Sequence, residues 1–454
     1  MEEAKKPAAK GILMTEGPIA RQILAFTLPL LLGNVFQQLY NTVDSVVVGN
    51  FVGKEALATV GSSSSMIGMI VSLFMGIGVG ASVIISQYYG AGNLKKMENA
   101  IYTAIAFGIA AGVLLTVIGI VVSPVILRWM KTPETVMEGS VIFLRIYFLG
   151  SLPSMLYNIG SSIFHAFGDS KKPLLYLIIA SIVNILLDLL FVAVFRWGIA
   201  GAGYATVLSQ TISAVLTYMT LTGKRSIYRL ELKRIRFYRE ELRLIIRLGI
   251  PSGLQNSIIS FSNVIVQSNI NSFGDVAMAG CGAYGKIEGF ALMPSGSFTM
   301  APSTFVSQNI GARKLERAKK GAGTGLLLSM GIVQLTGIMI YFCAPYLIRL
   351  FNSEPEVVSY GTLMARSVSM GYFMLAFSHG MGGVLRGAGL SRDSMVIMIT
   401  FWCGLRVAWI LTAVRFFGDI RIVFWAYPIT WACSFVIFLW YFFRKDWLGH
   451  QIIE

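Results

Sequence analysis

Apolar residues run along this chain in twelve long stretches that are separated by short polar clusters. Each stretch is long enough for a membrane-spanning helix, which needs about 20 predominantly apolar residues. The predicted helices lie near residues 24–48, 57–85, 100–126, 139–164, 174–195, 199–222, 244–272, 277–306, 321–343, 358–385, 395–417 and 422–443. The pattern therefore predicts an all-α polytopic membrane protein with twelve transmembrane helices.

The second half of the chain repeats the first at an offset of 221 residues. Equivalent pairs include Gly53 with Gly274, Ser86 with Ser307, Pro124 with Pro345, Arg145 with Arg366, Gly150 with Gly371 and Gly168 with Gly389. Each repeat holds six predicted helices, and because six is even, the second copy starts on the same face of the membrane. We therefore expect two parallel six-helix lobes, residues 1–222 and 244–454, joined by a linker over residues 223–243.

Composition excludes most other classes of protein. The 454 residues are 55% hydrophobic and 13% charged, with a mean hydropathy of +0.69, whereas an average soluble domain is about 25% charged. A soluble enzyme and a disulfide-rich secreted protein do not fit these values. A non-transporting receptor would need an extramembrane domain, and the short loops have no room for one.

The net charge of +15 is a signal of membrane orientation. If both termini lie on one side, the loops on that side carry 26 of the 37 Lys and Arg residues, and the opposite loops carry seven. Cytoplasmic loops of membrane proteins are enriched in Lys and Arg. Both termini are therefore expected in the cytoplasm, and the chain is expected in the inner membrane of the cell. The surplus of Lys and Arg over Asp and Glu therefore does not indicate nucleic-acid binding.

The polar N-terminus lacks the apolar core of a removable signal peptide.

Three acids lie well inside predicted helices, namely Asp44, Asp188 and Glu288. An ionisable group at this depth is costly and is a functional hypothesis by default. Gln37, Tyr40 and Asp44 share one helix face because they are spaced i, i+3, i+7, and Asn184 and Asp188 are spaced i, i+4. Further polar residues at comparable depth are Asn158, Ser161 and Thr206.

The polar cluster of the first repeat is absent from the second. Asp188 aligns with Trp409 and Asn158 with His379 at the offset of 221, and Asp44 aligns with Val266 at the offset of 222 that fits helix 1. Residues needed only for the scaffold should recur in both copies. We therefore interpret the cluster as a proton or Na⁺ site, since hard cations prefer oxygen ligands; the alternative is that each acid is a satisfied partner in an interhelical hydrogen bond. Glu288 and His379 are candidates for a substrate cavity.

Several segments together resemble the multidrug and toxic compound extrusion (MATE) family. They are PLLLGNVFQQLYNTVDSVVVGNFVGKEALATVG in helix 1, SQYYGAGN and SQNIGARK after helices 2 and 8, and HAFGDSKKP and VLRGAGLSR after helices 4 and 10. The resemblance covers about residues 15–445. It implies a two-lobed antiporter that exports organic, cationic and amphipathic compounds in exchange for H⁺ or Na⁺, by alternating access and as a monomer among membrane lipids, without a cofactor.

Within this family the chain is similar to the prokaryotic branch with acids in helices 1 and 5. Asp44 and Asp188 match those acids, and Gln37, Tyr40, Asn158, Asn184 and Thr206 match the polar positions around them. Ser161 departs from the pattern, in which an Asn is expected. The runner-up function is a lipid-linked oligosaccharide flippase of the same superfamily, which predicts a cavity rich in Arg and Lys. Only Arg145, Lys286, Arg366 and Arg406 lie outside the loops.

Overall fold

The computed structural model describes residues 13–52, 54–129, 132, 134–223 and 230–449, without the side chains of residues 53–70, 73, 135, 136 and 415. These described residues are helical almost throughout and include no β-strand. Six of the 26 Lys and Arg residues expected on the cytoplasmic side lie outside the described residues, three at the N-terminus and three within residues 224–229.

All twelve predicted helices are present in the described chain. The first repeat contains α1 (Ile19–Phe51), α2 (Lys54–Gly90), α3 (Leu94–Trp129), α4 (Glu134–Leu149), α5 (Ser151–Ala166), α6 (Lys171–Asp188) and α7 (Gly198–Thr222). The second contains α8 (Arg239–Asn271), α9 (Asp275–Ala291), α10 (Met293–Gly311), α11 (Leu315–Arg349), α12 (Pro355–Ser369), α13 (Tyr372–Gly387), α14 (Ser391–Ile399), α15 (Arg406–Phe417) and α16 (Ile420–Arg444).

Four of the predicted helices are interrupted. The fourth is split into α4 and α5, which meet at Gly150 with a bend of 44°. The eighth is split at Leu292, just before Pro294, and the tenth at Met370 and Gly371. In the eleventh predicted helix, a π-helical segment, Thr400–Leu405, connects α14 to α15. The fifth predicted helix ends in another π-helical segment, Leu189–Val194. Glycine or proline lies at the breaks of the fourth, eighth and tenth helices, where it weakens the helical hydrogen-bond ladder or lowers helix propensity.

Length and composition support membrane insertion of these helices. Seven of the described helical segments are long and apolar enough to cross a membrane, or eight when the bent pair α4 and α5 counts as one span. Large apolar side chains on α3 and α11 are exposed, including Val121 at 68% and Leu327 at 71%. Such faces are stable against lipid and unfavourable against water.

Hydrogen bonds repeat in the two halves with the offset found in the sequence. Ser86 Oγ donates to the Ala166 carbonyl oxygen at 3.1 Å, and Ser307 Oγ donates to that of Gly387 at 3.1 Å. Both bonds tie the second span of a repeat to the short helix that ends its fourth span. The repeat is therefore structural as well as sequential.

The equivalent arginines also make equivalent bonds. Arg145 Nε donates to the Ile120 carbonyl oxygen at 3.3 Å, and Arg366 Nε donates to that of Tyr341 at 3.3 Å. Because both arginines bond to backbone in the same way, their shared role is in the scaffold.

The chain forms two compact units whose bounds cut through helices α1 and α8. The first unit contains Leu28–Gly249, and the second contains Met14–Thr27 and the chain from Ile250 onwards. In the second unit, Met14 N donates to Gln308 Oε1 at 2.9 Å, and Arg317 donates to the carbonyl oxygens of Glu16 and Gly17 at 3.0 and 2.8 Å.

The first unit holds the start of α8 in a comparable way. Tyr238 N donates to Thr103 Oγ1 at 3.1 Å, and Lys96 pairs with Glu240 at 3.0 Å. Lys96 and Arg317 are equivalent positions in the two repeats. Each unit therefore anchors the beginning of the helix that enters the other.

The repeated serine bonds give a matched stability test. Ser86→Ala and Ser307→Ala should each lower the free energy of unfolding by about 1 kcal/mol, the usual net value of one buried hydrogen bond. Thermal unfolding of the purified variants in one detergent would measure both. Ser260→Ala is the control, because the described bond of this exposed hydroxyl, to the Asn256 carbonyl oxygen, lies within its own helix. A loss at one serine and none at the other would contradict structural equivalence of the repeats.

Candidate functional site

A cavity of about 430 Å³ lies within the first unit. This volume is in the range of small-molecule sites, which is about 300–1,000 Å³. Its polar lining includes Gln37, Tyr40, Asn41, Asp44, Ser154, Asn158, Thr206 and Gln210, and its apolar lining includes Met75, Leu115, Phe143, Met155 and Leu177. A mixed wall of this kind suits an amphipathic molecule.

The two acids predicted from the sequence lie side by side. Asp44 is on the cavity wall, and Asp188 is fully buried behind it, at 0% exposure. Their carboxyl groups are in contact and interact electrostatically. When both are ionised, Asp44 Oδ1 and both oxygens of Asp188 are buried and accept no hydrogen bond from the described residues. Such a pair is unfavourable without a proton or a cation to balance it.

Helix α6 positions the buried acid together with Asn184. Both side chains are buried, Asn184 at 1% exposure, and they project from one face because they are four residues apart. The amide oxygen and nitrogen of Asn184 also have no hydrogen-bond partner among the described residues. Asp188 is the last residue of α6 before the π-helical segment, and segments of this kind are frequent at functional sites.

The other predicted residues lie around this pair at different distances from it. Tyr40 and Thr206 both line the cavity, and Thr206 Oγ1 donates to the Ala202 carbonyl oxygen at 3.1 Å. Asn158 lines the cavity, while its Nδ2 donates to the Ser154 carbonyl oxygen at 2.9 Å. Ser161 is buried and outside the lining. Exposed Gln37 lies on the cavity wall.

The carboxyl oxygens that meet at Asp44 and Asp188 are of the type that a proton or a hard cation would bind. The Asn184 amide lies on the same face of α6 as Asp188. No group of three His, Cys, Asp or Glu side chains capable of holding a metal ion occurs in the part of the chain that the structure describes. Na⁺ at this place would therefore depend on amide and hydroxyl oxygens in addition to the two carboxylates.

The second unit contains a separate polar cluster around Glu288. Tyr284 donates its hydroxyl hydrogen to Glu288 Oε1 at 3.1 Å, and the hydroxyl groups of Tyr284 and Tyr372 are 2.8 Å apart. Tyr372 is connected to Glu288 only through the Tyr284 hydroxyl among these bonds. Glu288 thus has a direct hydroxyl partner on α9, unlike the two acids of the first unit.

Sequence reasoning missed the partners of Glu288 and the position of Arg406. Tyr284 could have been found, because it lies four residues before Glu288 on one helix face. Arg406 is 1% exposed and interacts electrostatically with Glu288. The sequence shows Arg406 as a cation inside an apolar helix, but it does not indicate which acid this cation faces.

His379 does not join the Glu288 cluster through any described contact. Its ring lies 4.9 Å from the ring of Trp402, and it faces Arg386 of the same helix. Trp402 in turn donates from Nε1 to Ser434 Oγ at 2.9 Å. His379 thus packs against the Trp402 ring, and its place in a substrate cavity stays a prediction.

Comparison with known proteins gives consistent results over most of the chain. A family model described as MatE matches residues 29–190 and 251–410. The probable multidrug resistance protein YpnP of Bacillus subtilis (strain 168) is 32% identical, over 86% of this chain and 87% of its own length. A probable multidrug resistance protein NorM from Thermotoga maritima is 27% identical, over 87% and 86% of the two chains. An FAD transporter from Shewanella oneidensis is 24% identical, over 76% and 77%.

Solved structures support the same fold. A multidrug resistance MATE family transporter of the MOP superfamily, in an outward-facing conformation, has a TM-score of 0.91. It is 23% identical, and the match covers 98% of this chain and 100% of that one. The two-lobed, all-α membrane fold predicted from the sequence is confirmed.

Proposed function

The chain belongs to the MATE family of membrane transporters, and we propose that it is a secondary antiporter that exports organic cations from the cytoplasm in exchange for H⁺ or Na⁺. The relatives named as multidrug resistance proteins favour a broad range of substrates. The proposal places the chain in the inner membrane as a monomer surrounded by lipid, with both termini in the cytoplasm.

One observation carries this proposal: a cavity of small-molecule size has Asp44 on its wall and Asp188 in contact behind it. The negative charge is available to a cationic substrate, and the apolar part of the wall suits the rest of an amphipathic molecule. The relative named as an FAD transporter has a phosphate-bearing substrate. The acidic wall disfavours such an anion here, because like charges repel in a poorly solvated site.

Competition for the carboxyl pair provides the coupling. An ion that enters from outside neutralises one of the two negative charges of Asp44 and Asp188 and weakens the hold on a cationic substrate, which is released. Loss of the ion to the cytoplasm restores the charge and the affinity for a new substrate. Coupling requires only that the ion and the substrate favour different states of the transporter.

The flippase alternative is not favoured by the cavity. A site for a lipid-linked pyrophosphate would need Arg or Lys side chains, and the described lining of this cavity has none. Arg145 and Arg366 make matching backbone bonds in the two repeats instead. These contacts support the antiporter as the better hypothesis.

Efflux from proteoliposomes under separately imposed gradients tests the proposal. Ethidium movement should follow either an imposed proton gradient or an imposed sodium gradient, and dissipation of that gradient with the matching ionophore should stop it. The gradient that drives transport identifies the coupling ion. Movement that is the same with and without both gradients would contradict antiport.

A further inference from the structure

The guanidinium group of Arg406 is buried in the second unit, where it is held on several sides, at 1% exposure of the residue. Nη1 donates to Asn263 Oδ1 at 3.0 Å, and Nη2 donates to Thr430 Oγ1 at 3.2 Å. The guanidinium carbon lies 4.6 Å from the centre of the Tyr427 ring and 5.6 Å from that of the Trp402 ring. Both distances are within the range of about 6 Å in which an aromatic face attracts a cation. These surroundings are those of a binding site for a planar organic cation.

Two of the partners of Arg406 correspond to residues that line the cavity of the first unit. Asn263 is equivalent to Asn41 at the offset of 222 that fits the first helix of each repeat. Tyr427 is equivalent to Thr206 at the offset of 221. Asn41 and Thr206 both lie on the cavity wall. Because the two repeats share one fold, the guanidinium occupies the place in the second lobe that the cavity occupies in the first.

Aromatic side chains fill the rest of this place in the second unit. Three lining residues of the first cavity have larger aromatic equivalents at the offset of 221, namely Ser151 with Tyr372, Thr206 with Tyr427 and Gln210 with Trp431. Tyr372 and Trp431 are buried, at 0% and 2% exposure. The Trp431 ring centre lies 5.8 Å from that of Tyr427 and 6.1 Å from that of Trp402. The rings and the guanidinium thus take up space that smaller side chains leave open in the first unit.

We propose that the second lobe contains a closed counterpart of the first unit's cavity, in which the Arg406 guanidinium occupies the place of a bound organic cation. The ligand class of this site is a guanidinium, held by amide and hydroxyl oxygens at its edge and by aromatic rings on its faces. Of the two equivalent places, only that in the first unit is therefore open to an exported compound. This consequence rests on the proposed export function, whereas the occupied site itself does not.

Chemical rescue of a truncated side chain tests the proposal. Arg406→Ala in the full-length protein removes the ethylguanidinium part of the side chain and should leave a cavity of that shape. Millimolar ethylguanidinium should raise the thermal unfolding midpoint of this variant by about 2 °C or more, because a ligand that binds only the folded state stabilises it. N-ethylurea, which has nearly the same shape but no charge, should not raise it. The midpoint of the wild-type protein should respond to neither compound.

Two variants are matched controls for the rescue. Arg406→Met fills the same space with an uncharged side chain, so its midpoint should not respond to ethylguanidinium. Arg366→Ala removes a guanidinium that also donates to a carbonyl oxygen and lies 5.6 Å from the centre of the Tyr341 ring. Arg366 is exposed, so its loss leaves no closed site and no rescue is expected. An Arg406→Ala midpoint that responds to neither compound, or equally to both, would overturn the proposal.

A second variant decides the matter if Arg406→Ala does not fold. Gln210→Trp places the side chain of the second repeat in the cavity of the first unit, and the clash should weaken ethidium binding to the purified protein by about tenfold or more. Val215→Trp adds the same side chain at an exposed position of the same helix and should leave binding unchanged. Unchanged binding in Gln210→Trp would show that Trp431 does not stand in a ligand's place, and the proposal would be wrong.

Failure of the export function would be visible separately. A wild-type protein that binds no ethidium would contradict the proposed function. The rescue of Arg406→Ala by ethylguanidinium is a measurement of stability and does not depend on transport or on ethidium.

Discussion

Replacement of Asp188 by Asn should reduce gradient-driven efflux of ethidium by about tenfold or more. Coupling between two binding sites typically changes affinity by about 5- to 150-fold, and the expected loss lies within that range. Asn has nearly the same volume, so the packing of the buried side chain is retained. It cannot bind and release a proton or provide a full negative charge to Na⁺. The measurement is the initial rate of efflux from proteoliposomes that contain equal amounts of folded protein.

Asp419→Asn is the matched control for this variant. Asp419 caps the start of α16 by accepting a hydrogen bond from Arg421 N at 2.8 Å, and Asn is an equally good cap. The same chemical change outside the carboxyl pair should leave efflux at the wild-type rate. Full gradient-dependent efflux in Asp188→Asn would show that the carboxyl pair does not couple transport to an ion.

Replacement of Gly387 by Ala should destabilise the protein by about 3 kcal/mol, the upper part of the usual range for overpacking. A Cβ atom at this position would lie 2.4 Å from the Ser303 carbonyl oxygen and 3.0 Å from Ser303 Cα. These are backbone atoms of α10, so no side-chain rotation relieves the clash, and α13 must move away. That movement would also break the bond from Ser307 Oγ to Gly387.

The matched control is Gly331→Ala, in the middle of α11. A Cβ atom there meets no atom within 4 Å, and alanine has the higher helix propensity. Thermal unfolding followed by circular dichroism in detergent should therefore show a lower midpoint for Gly387→Ala and an unchanged or higher midpoint for Gly331→Ala. Equal midpoints for the two variants would mean that α10 and α13 do not pack as closely as described.

The helices and the repeat could be predicted from the sequence because both rest on periodic chemistry. A membrane core requires long apolar segments, and each of the twelve was visible by length alone. The repeat was visible because glycines and arginines at constant spacing carry structural roles, as the bonds of Arg145 and Arg366 show. The contact between Asp44 and Asp188 agrees with the prediction that acids in helices 1 and 5 act together, but their role in coupling remains a prediction.

The interruptions of the helices and the C-terminal polar cluster were not predicted, for different reasons. Glycine and proline are common in membrane helices that stay continuous, so Gly150 alone did not indicate a 44° bend. The bond between Tyr284 and Tyr372 joins residues 88 positions apart, and pairing at such distances depends on tertiary packing. Comparison of the repeats shows which residues the two copies share and which they do not. It does not show which residues within one copy come into contact.

The anchoring of Met14–Thr27 in the second unit affects the order in which the protein can be made. Met14 bonds to Gln308, 294 residues later, and to Arg317, 303 residues later. During synthesis the N-terminal segment therefore has no native partner until about two thirds of the chain has left the ribosome. The first helix is among the first to be made, yet its N-terminal end is among the last parts to reach its final place.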